Sequence, residues 1–126
     1  MPETVLVVDD DPAVGRVLTG LLAQAGWRSR WASSGAQALA ELKSMPTDLV
    51  ITDLRMDGMD GMELLTHARA GFPEIPVIVL SADATPEQRE RLLAGGANGY
   101  LTKPIDVTEL LTLVDQILAA GAKGLL

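Results

Sequence analysis

The chain reads as an α/β domain: a five-stranded parallel sheet flanked by five helices. Three observations predict it. Four short apolar runs, Val5–Val8, Leu49–Ile51, Val77–Leu80 and Tyr100–Leu101, are rich in branched residues and bounded by polar or turn residues. Their lack of polar alternation suits strands buried on both faces. Between them lie stretches with helical apolar spacing, joined by links too short for anything but strict strand–helix alternation. The length of 126 residues suits a single domain.

Each element has its own local reason. Val5-Leu6-Val7-Val8 forms the first strand and is followed by Asp9-Asp10-Asp11. Pro12 suits the first turn of a helix, with Asp11 as its cap. Val14, Val17, Leu18, Leu21, Leu22 and Ala25 make one apolar stripe, and Gly26 ends that helix. Arg28 to Ala32 alternates, with charge at 28 and 30, as an exposed edge strand would. Ser33 or Ser34 caps a second helix running to about Ser44. Leu49-Val50-Ile51 is a strand that stops at Thr52-Asp53. Asp60 caps a third helix from Gly61 to about Ala70. Val77 to Leu80 is a strand ending at Ser81, and a helix follows from about Pro86 to Ala94, closed by Gly95-Gly96. Tyr100-Leu101 ends at Lys103-Pro104. Leu110, Val114, Ile117 and Leu118 mark the last helix. The pattern does not set the strand order; the flavodoxin-like, doubly wound order 2-1-3-4-5 is adopted as the common template for this class. Residues 1–120 are assigned to the domain and 121–126 to a C-terminal tail or the start of a linker.

Composition removes several functions. Acids outnumber bases 17 to 10, for a net charge of -7, which argues against binding nucleic acid or an anionic membrane through bulk charge. With no Cys there is no disulfide, thiolate nucleophile or thiolate-bound metal. The single His67 cannot support a two-histidine site and is expected on the solvent side of its helix. The Met-Pro-Glu-Thr start lacks the basic region of a signal peptide, and no apolar run nears the ~18 residues of a span. A cytoplasmic domain is the expectation. Trp27 and Trp31 should cover apolar surface beside the edge strand, and Met56, Met59 and Met62 should pack the loop and helix around them.

The residues that end the strands are the informative ones. In a parallel sheet all carboxyl ends share one edge, where ligands of open α/β folds bind. Asp9, Asp10, Asp53, Ser81 and Lys103 should therefore converge. Carboxylates so gathered repel one another unless a cation intervenes. Lys103 offsets one charge, and an all-oxygen site with open positions suits magnesium or manganese. A cation, an ammonium and a hydroxyl around one carboxylate form a receptor for a phosphoryl group, and Asp can attack phosphorus to give an acyl phosphate.

Four segments in this order resemble the receiver domain of two-component response regulators across essentially the whole chain: Val5–Asp11, Asp48–Gly61, Pro76–Ala82 and Gly96–Pro104. The resemblance implies that Asp53 is the phosphoacceptor. Asp10 would be the direct metal ligand, Asp9 would act mainly through ligated water, and the Arg55 carbonyl would complete the set. It further implies that Lys103 holds the acyl phosphate, that Lys103–Pro104 is cis, and that Ser81 and Tyr100 are switch residues. The ring of Tyr100 would turn from the surface inward as Ser81 moves. The domain would then be a phosphorylation switch and no conventional enzyme, beyond catalysing its own phosphorylation and dephosphorylation. It would take its phosphoryl group from a histidine kinase or phosphotransfer protein docked at the first helix. It would signal to a downstream protein or a second copy through the face of the fourth helix, fifth strand and fifth helix.

Two departures stand out. Asp57 occupies a position that is usually Pro in the family, so the loop after Asp53 is expected to gain charge and mobility. Arg55 and Asp83 rim the pocket and are expected to pair across it, prolonging the acyl phosphate modestly. Two competing readings remain: a haloacid-dehalogenase-like phosphatase using Asp9 and Asp11, and a pseudo-receiver that only docks.

Overall fold

The computed structural model describes residues 2–83 and 85–124, with side chains to residue 120. Ten elements alternate without exception: β1 (Thr4–Val8), α1 (Pro12–Gln24), β2 (Arg28–Ala32), α2 (Gly35–Ser44), β3 (Leu49–Asp53), α3 (Gly61–Gly71), β4 (Val77–Ser81), α4 (Pro86–Ala94), β5 (Gly99–Thr102) and α5 (Val107–Gly124). The strands form one sheet in the order β2-β1-β3-β4-β5, with every neighbouring pair parallel. This is the doubly wound, flavodoxin-like fold expected from the sequence. The helix α5 is described to Gly124, beyond the boundary drawn at residue 120, and Leu125 and Leu126 of the assigned tail lie outside the described residues.

Strand pleating divides the core in two. Leu6, Val8, Val50, Val77 and Val79 face α2, α3 and α4, where they meet Leu42, Leu64, Leu65 and Leu92. Val5, Val7, Leu49, Ile51, Ile78 and Leu80 face α1 and α5, where they meet Leu18, Leu22, Leu110 and Val114. Both faces are covered, so β1, β3 and β4 are aliphatic along most of their length, with polar residues confined to their ends. The methionines at 56, 59 and 62 pack against the first of these clusters, and Trp27 and Trp31 against the second.

Side-chain caps fix where the helices begin. Asp11 accepts from the Ala13 amide at 2.9 Å, Ser34 from Gln37 at 3.0 Å, Asp60 from Glu63 at 2.9 Å and Asp106 from Glu109 at 3.0 Å. Each satisfies an amide left open at a helix start. His67 is exposed on α3.

Trp31 does more than cover apolar surface. Its indole N–H donates to the Asp9 carbonyl at 2.8 Å, while the Asp9 amide donates to the Ala32 carbonyl at 3.1 Å. The Asp9 residue is thus held at both its backbone groups by the end of β2. The ring lies so close to α1 that a Cβ on Gly15 would come within 2.6 Å of it. Gly15→Val should therefore cost about 1–3 kcal/mol. Gly20→Ala, at an open position of the same helix, should gain up to about 1 kcal/mol. Chemical denaturation of the two variants checks both.

Candidate functional site

Strand termination builds the site. β1, β3 and β4 end on the same edge of the sheet, and the residues there change abruptly from aliphatic to Asp9-Asp10, Asp53 and Ser81. One carboxylate oxygen from each of Asp9, Asp10 and Asp53 lies within 4.8 Å of the others. Lys103 follows β5, and its Nζ lies 2.8 Å from Asp53 Oδ1. Its backbone amide donates to the Ser81 carbonyl at 2.8 Å, which ties the lysine's segment to the end of β4. The Lys103–Pro104 bond is cis.

Burial grades the cluster. Asp9 is 2% exposed, Asp53 8% and Ser81 2%, whereas Asp10 faces solvent. Asp9 has little access to water, and burial is the largest influence pushing its carboxyl above the usual carboxylate range. The charges of Asp53 and Asp10 push the same way, against the Asp11 amide, which donates to Asp9 Oδ1 at 2.9 Å, and against Lys103. Three carboxylates against one ammonium leave net negative charge in an all-oxygen donor set. Those are the donors a hard divalent cation takes.

The close fit of α3 maintains this geometry. A Cβ on Gly61 would approach the Asp53 carbonyl to 2.5 Å and Leu54 Cα to 2.8 Å. The Gly61 amide donates to the Leu54 carbonyl at 2.7 Å, so the start of α3 closes directly over the end of β3. No side chain larger than hydrogen fits between them.

The remaining sequence candidates fall in different places. Asp11 is not part of the cluster; its carboxylate caps α1, which separates it from Asp9 and removes the paired arrangement a hydrolase reading requires. Ser81 Oγ accepts from the Asp83 amide at 3.0 Å. Tyr100 is half-buried against the α2–α4 side of the core, and its hydroxyl is already covered and without a hydrogen-bond partner. The surface position expected for the resting ring is therefore not the one seen.

Arg55 and Asp83 do not form the expected ion pair. Among the described residues the pairs within 4.0 Å are Lys103–Asp53 and Arg30–Glu41. The Asp83 carboxylate turns instead to the Thr85 amide at 2.9 Å. That amide is the main reason its carboxyl lies below the ordinary range; the Thr85 hydroxyl adds to it, and Arg55 is a smaller influence through space. Asp57 is exposed, and its amide donates to Asp10 Oδ2 at 3.1 Å. The loop has a tether that residue type alone did not suggest. Neither this bond nor the Trp31 bond to Asp9 was legible in advance, because both use main-chain atoms.

The state of Asp9 has a measurable consequence. A carboxyl whose pKa is higher in the folded than in the unfolded protein weakens the fold above that raised value. The penalty is lifted as pH falls through it. Asp9→Asn, which can still accept from the Asp11 amide, should raise the melting temperature of the metal-free protein at pH 7. The gain should disappear as pH falls through the raised pKa, as thermal melts of both proteins over pH would reveal.

Comparison with known proteins agrees with this geometry. The family model described as the response regulator receiver domain matches residues 5–115. The transcriptional regulatory protein GlrR of Escherichia coli is 38% identical over 121 residues, covering 96% of this chain and 27% of GlrR. This chain therefore spans about a quarter of that relative's length. A CheY-like receiver domain from Methanospirillum hungatei superimposes with a TM-score of 0.93 at 27% identity, covering 98% of this chain and 99% of that one. The Vibrio cholerae chemotaxis protein CheY4 superimposes with a TM-score of 0.87 at 28% identity, covering 93% and 99%. A sheet edge carrying three gathered carboxylates and a lysine, on a chain matched along most of its length, belongs to the response regulator receiver domain family.

Proposed function

We propose that this receiver is a phosphorylation switch with Asp53 as its acceptor. The observation that carries the reading is the 2.8 Å contact of Lys103 Nζ with Asp53 Oδ1 inside a cluster of three carboxylates. An Asp53 oxygen attacks phosphorus in line, an O–P bond forms, and the bond from phosphorus to the donor breaks. The donor leaves with its electron pair and takes a proton from solvent or from its own protein. A phosphohistidine of a kinase or phosphotransfer protein, or a small phosphodonor, fits this step. Asp9, Asp10 and Asp53, with the Arg55 carbonyl, would hold magnesium or manganese, which when bound supplies positive charge to the transferring phosphoryl oxygens. Lys103 does the same from the other side and then holds the product. Hydrolysis of the acyl phosphate at the same site returns Asp53 to its free carboxylate.

The switch is local in origin. Ser81 Oγ, already positioned by the Asp83 amide, can turn its O–H to a phosphoryl oxygen and draw the loop after β4 with it. The ring of Tyr100 lies beside β4, its residue paired with Val79, and its hydroxyl lacks a partner. A shift of that loop changes the surroundings of an already inward ring and biases the α4–β5–α5 face between two states. A hollow of about 420 Å³ on that face, lined by Arg89, Leu93, Tyr100, Glu109 and Leu113, suits a downstream protein or a second copy. On the other side, an apolar groove of about 390 Å³ runs between α1 and the start of α5, lined by Val14, Val17, Leu21, Ile105 and Val107 and reaching Lys103. It supports docking of the phosphodonor at α1. Among the described residues no helix is long and apolar enough to cross a membrane.

Labelling decides among the readings. With acetyl phosphate and magnesium, peptide mapping should find one phosphoryl group, on Asp53, and none in Asp53→Ala. Lys103→Ala should slow labelling by about 10²–10³-fold, the usual loss for one electrostatic donor. Label on Asp9 would favour the hydrolase, and no magnesium binding at millimolar concentration would favour the docking-only protein. Arg55→Ala and Asp83→Ala should each change the lifetime of the phosphorylated form by less than about tenfold, because exposed, unpaired charges act weakly.

A further inference from the structure

We propose that the main-chain N–H of Asp57 is the positioning donor that keeps the Asp10 carboxylate turned into the acidic pocket. The inference rests on the metal-site reading above and assigns Asp57 a role through its backbone.

Asp10 is the member of the cluster least constrained by packing. It faces solvent, while Asp9 and Asp53 are buried. Both neighbours repel it, and the nearby ammonium of Lys103 is engaged with Asp53. Among the described residues Asp10 has no cationic side chain within 4.0 Å. Electrostatics alone would swing its carboxylate out into water. What opposes this is the amide of Asp57, 3.1 Å from Oδ2 and 47 residues away in sequence.

The donor is neutral and occupies one oxygen. A carboxylate has a second oxygen and about four acceptor positions in all, so Oδ1 stays available to a cation while Oδ2 is held. The tether therefore prepares the ligand without competing for it. It exists only because residue 57 is not proline, which has no N–H to give. The family pattern that the sequence resembles places proline there, so the departure at Asp57 exchanges a fixed φ for a hydrogen bond. The side chain of Asp57 is exposed and is not the agent.

The comparison that isolates the N–H is Asp57→Pro against Asp57→Ala, since both lose the carboxylate and only one keeps the donor. Magnesium titration by calorimetry should give a dissociation constant about three- to tenfold weaker for Asp57→Pro than for Asp57→Ala, the scale of one hydrogen bond. In the metal-free wild-type chain, hydrogen exchange read by NMR should find the Asp57 amide protected, and Asp10→Ala should abolish that protection. Binding by Asp57→Pro as tight as by Asp57→Ala, or an Asp57 amide exchanging equally fast with and without the Asp10 carboxylate, would overturn the proposal. The exchange measurement needs neither a metal nor the proline variant. It decides the inference even if Asp57→Pro does not fold, whereas a wild-type chain that binds no magnesium would fault the metal-site reading instead.

Discussion

The site is governed by mutual repulsion among carboxylates at the end of a parallel sheet. Oxygens of Asp9, Asp10 and Asp53 lie within 4.8 Å of one another, a separation at which each pair repels by about 3–4 kcal/mol at an effective dielectric of about 20. Parallel pairing imposes the convergence, because β1 and β3 are adjacent and end together. The fold cannot relieve the repulsion by moving the strands, since each is aliphatic on both faces and wedged between helices. Relief has to come from added groups. Lys103 supplies one, main-chain amides at Asp11 and Asp57 supply others, and the remaining charge is net negative in an all-oxygen donor set.

Rigidity and exposure are distributed unequally over the cluster. Asp9 is held by both ends of its peptide unit against β2, and Asp53 by the close fit of Gly61 over its carbonyl. Ser81 ends β4, buried and paired with Thr102, and its hydroxyl accepts from the Asp83 amide in the loop that follows. The Tyr100 hydroxyl, on β5, is covered and has no hydrogen-bond partner. A buried polar group without a partner costs about 1–3 kcal/mol, so any rearrangement offering it an acceptor is favoured.

Legibility in the sequence followed a simple division. Strands β1, β3 and β4 announced themselves because burial on both faces demands uninterrupted aliphatic runs. The caps at Asp11 and Asp60 were visible because a short polar side chain before an apolar stripe has few other uses. That Asp9, Asp10, Asp53 and Lys103 lie together was legible because parallel strands end on one edge. What the sequence withheld depends on rotamers and main-chain atoms. Asp83 accepts from the Thr85 amide and does not pair with Arg55, because a neighbouring backbone amide needs no long side chain to be ordered. The Tyr100 hydroxyl is covered while the residue as a whole is half-buried, which residue spacing cannot state.

The indole of Trp31 has a consequence of another kind. Its N–H grips the carbonyl of the most deeply sunk acid in the pocket, so the ring senses the electric field of that peptide group directly. Indole emission responds to fields of this sort, and the other tryptophan, Trp27, lies before the edge strand begins and makes no such bond. A change of charge in the pocket is therefore expected to alter Trp31 emission, through a single hydrogen bond from the outermost strand.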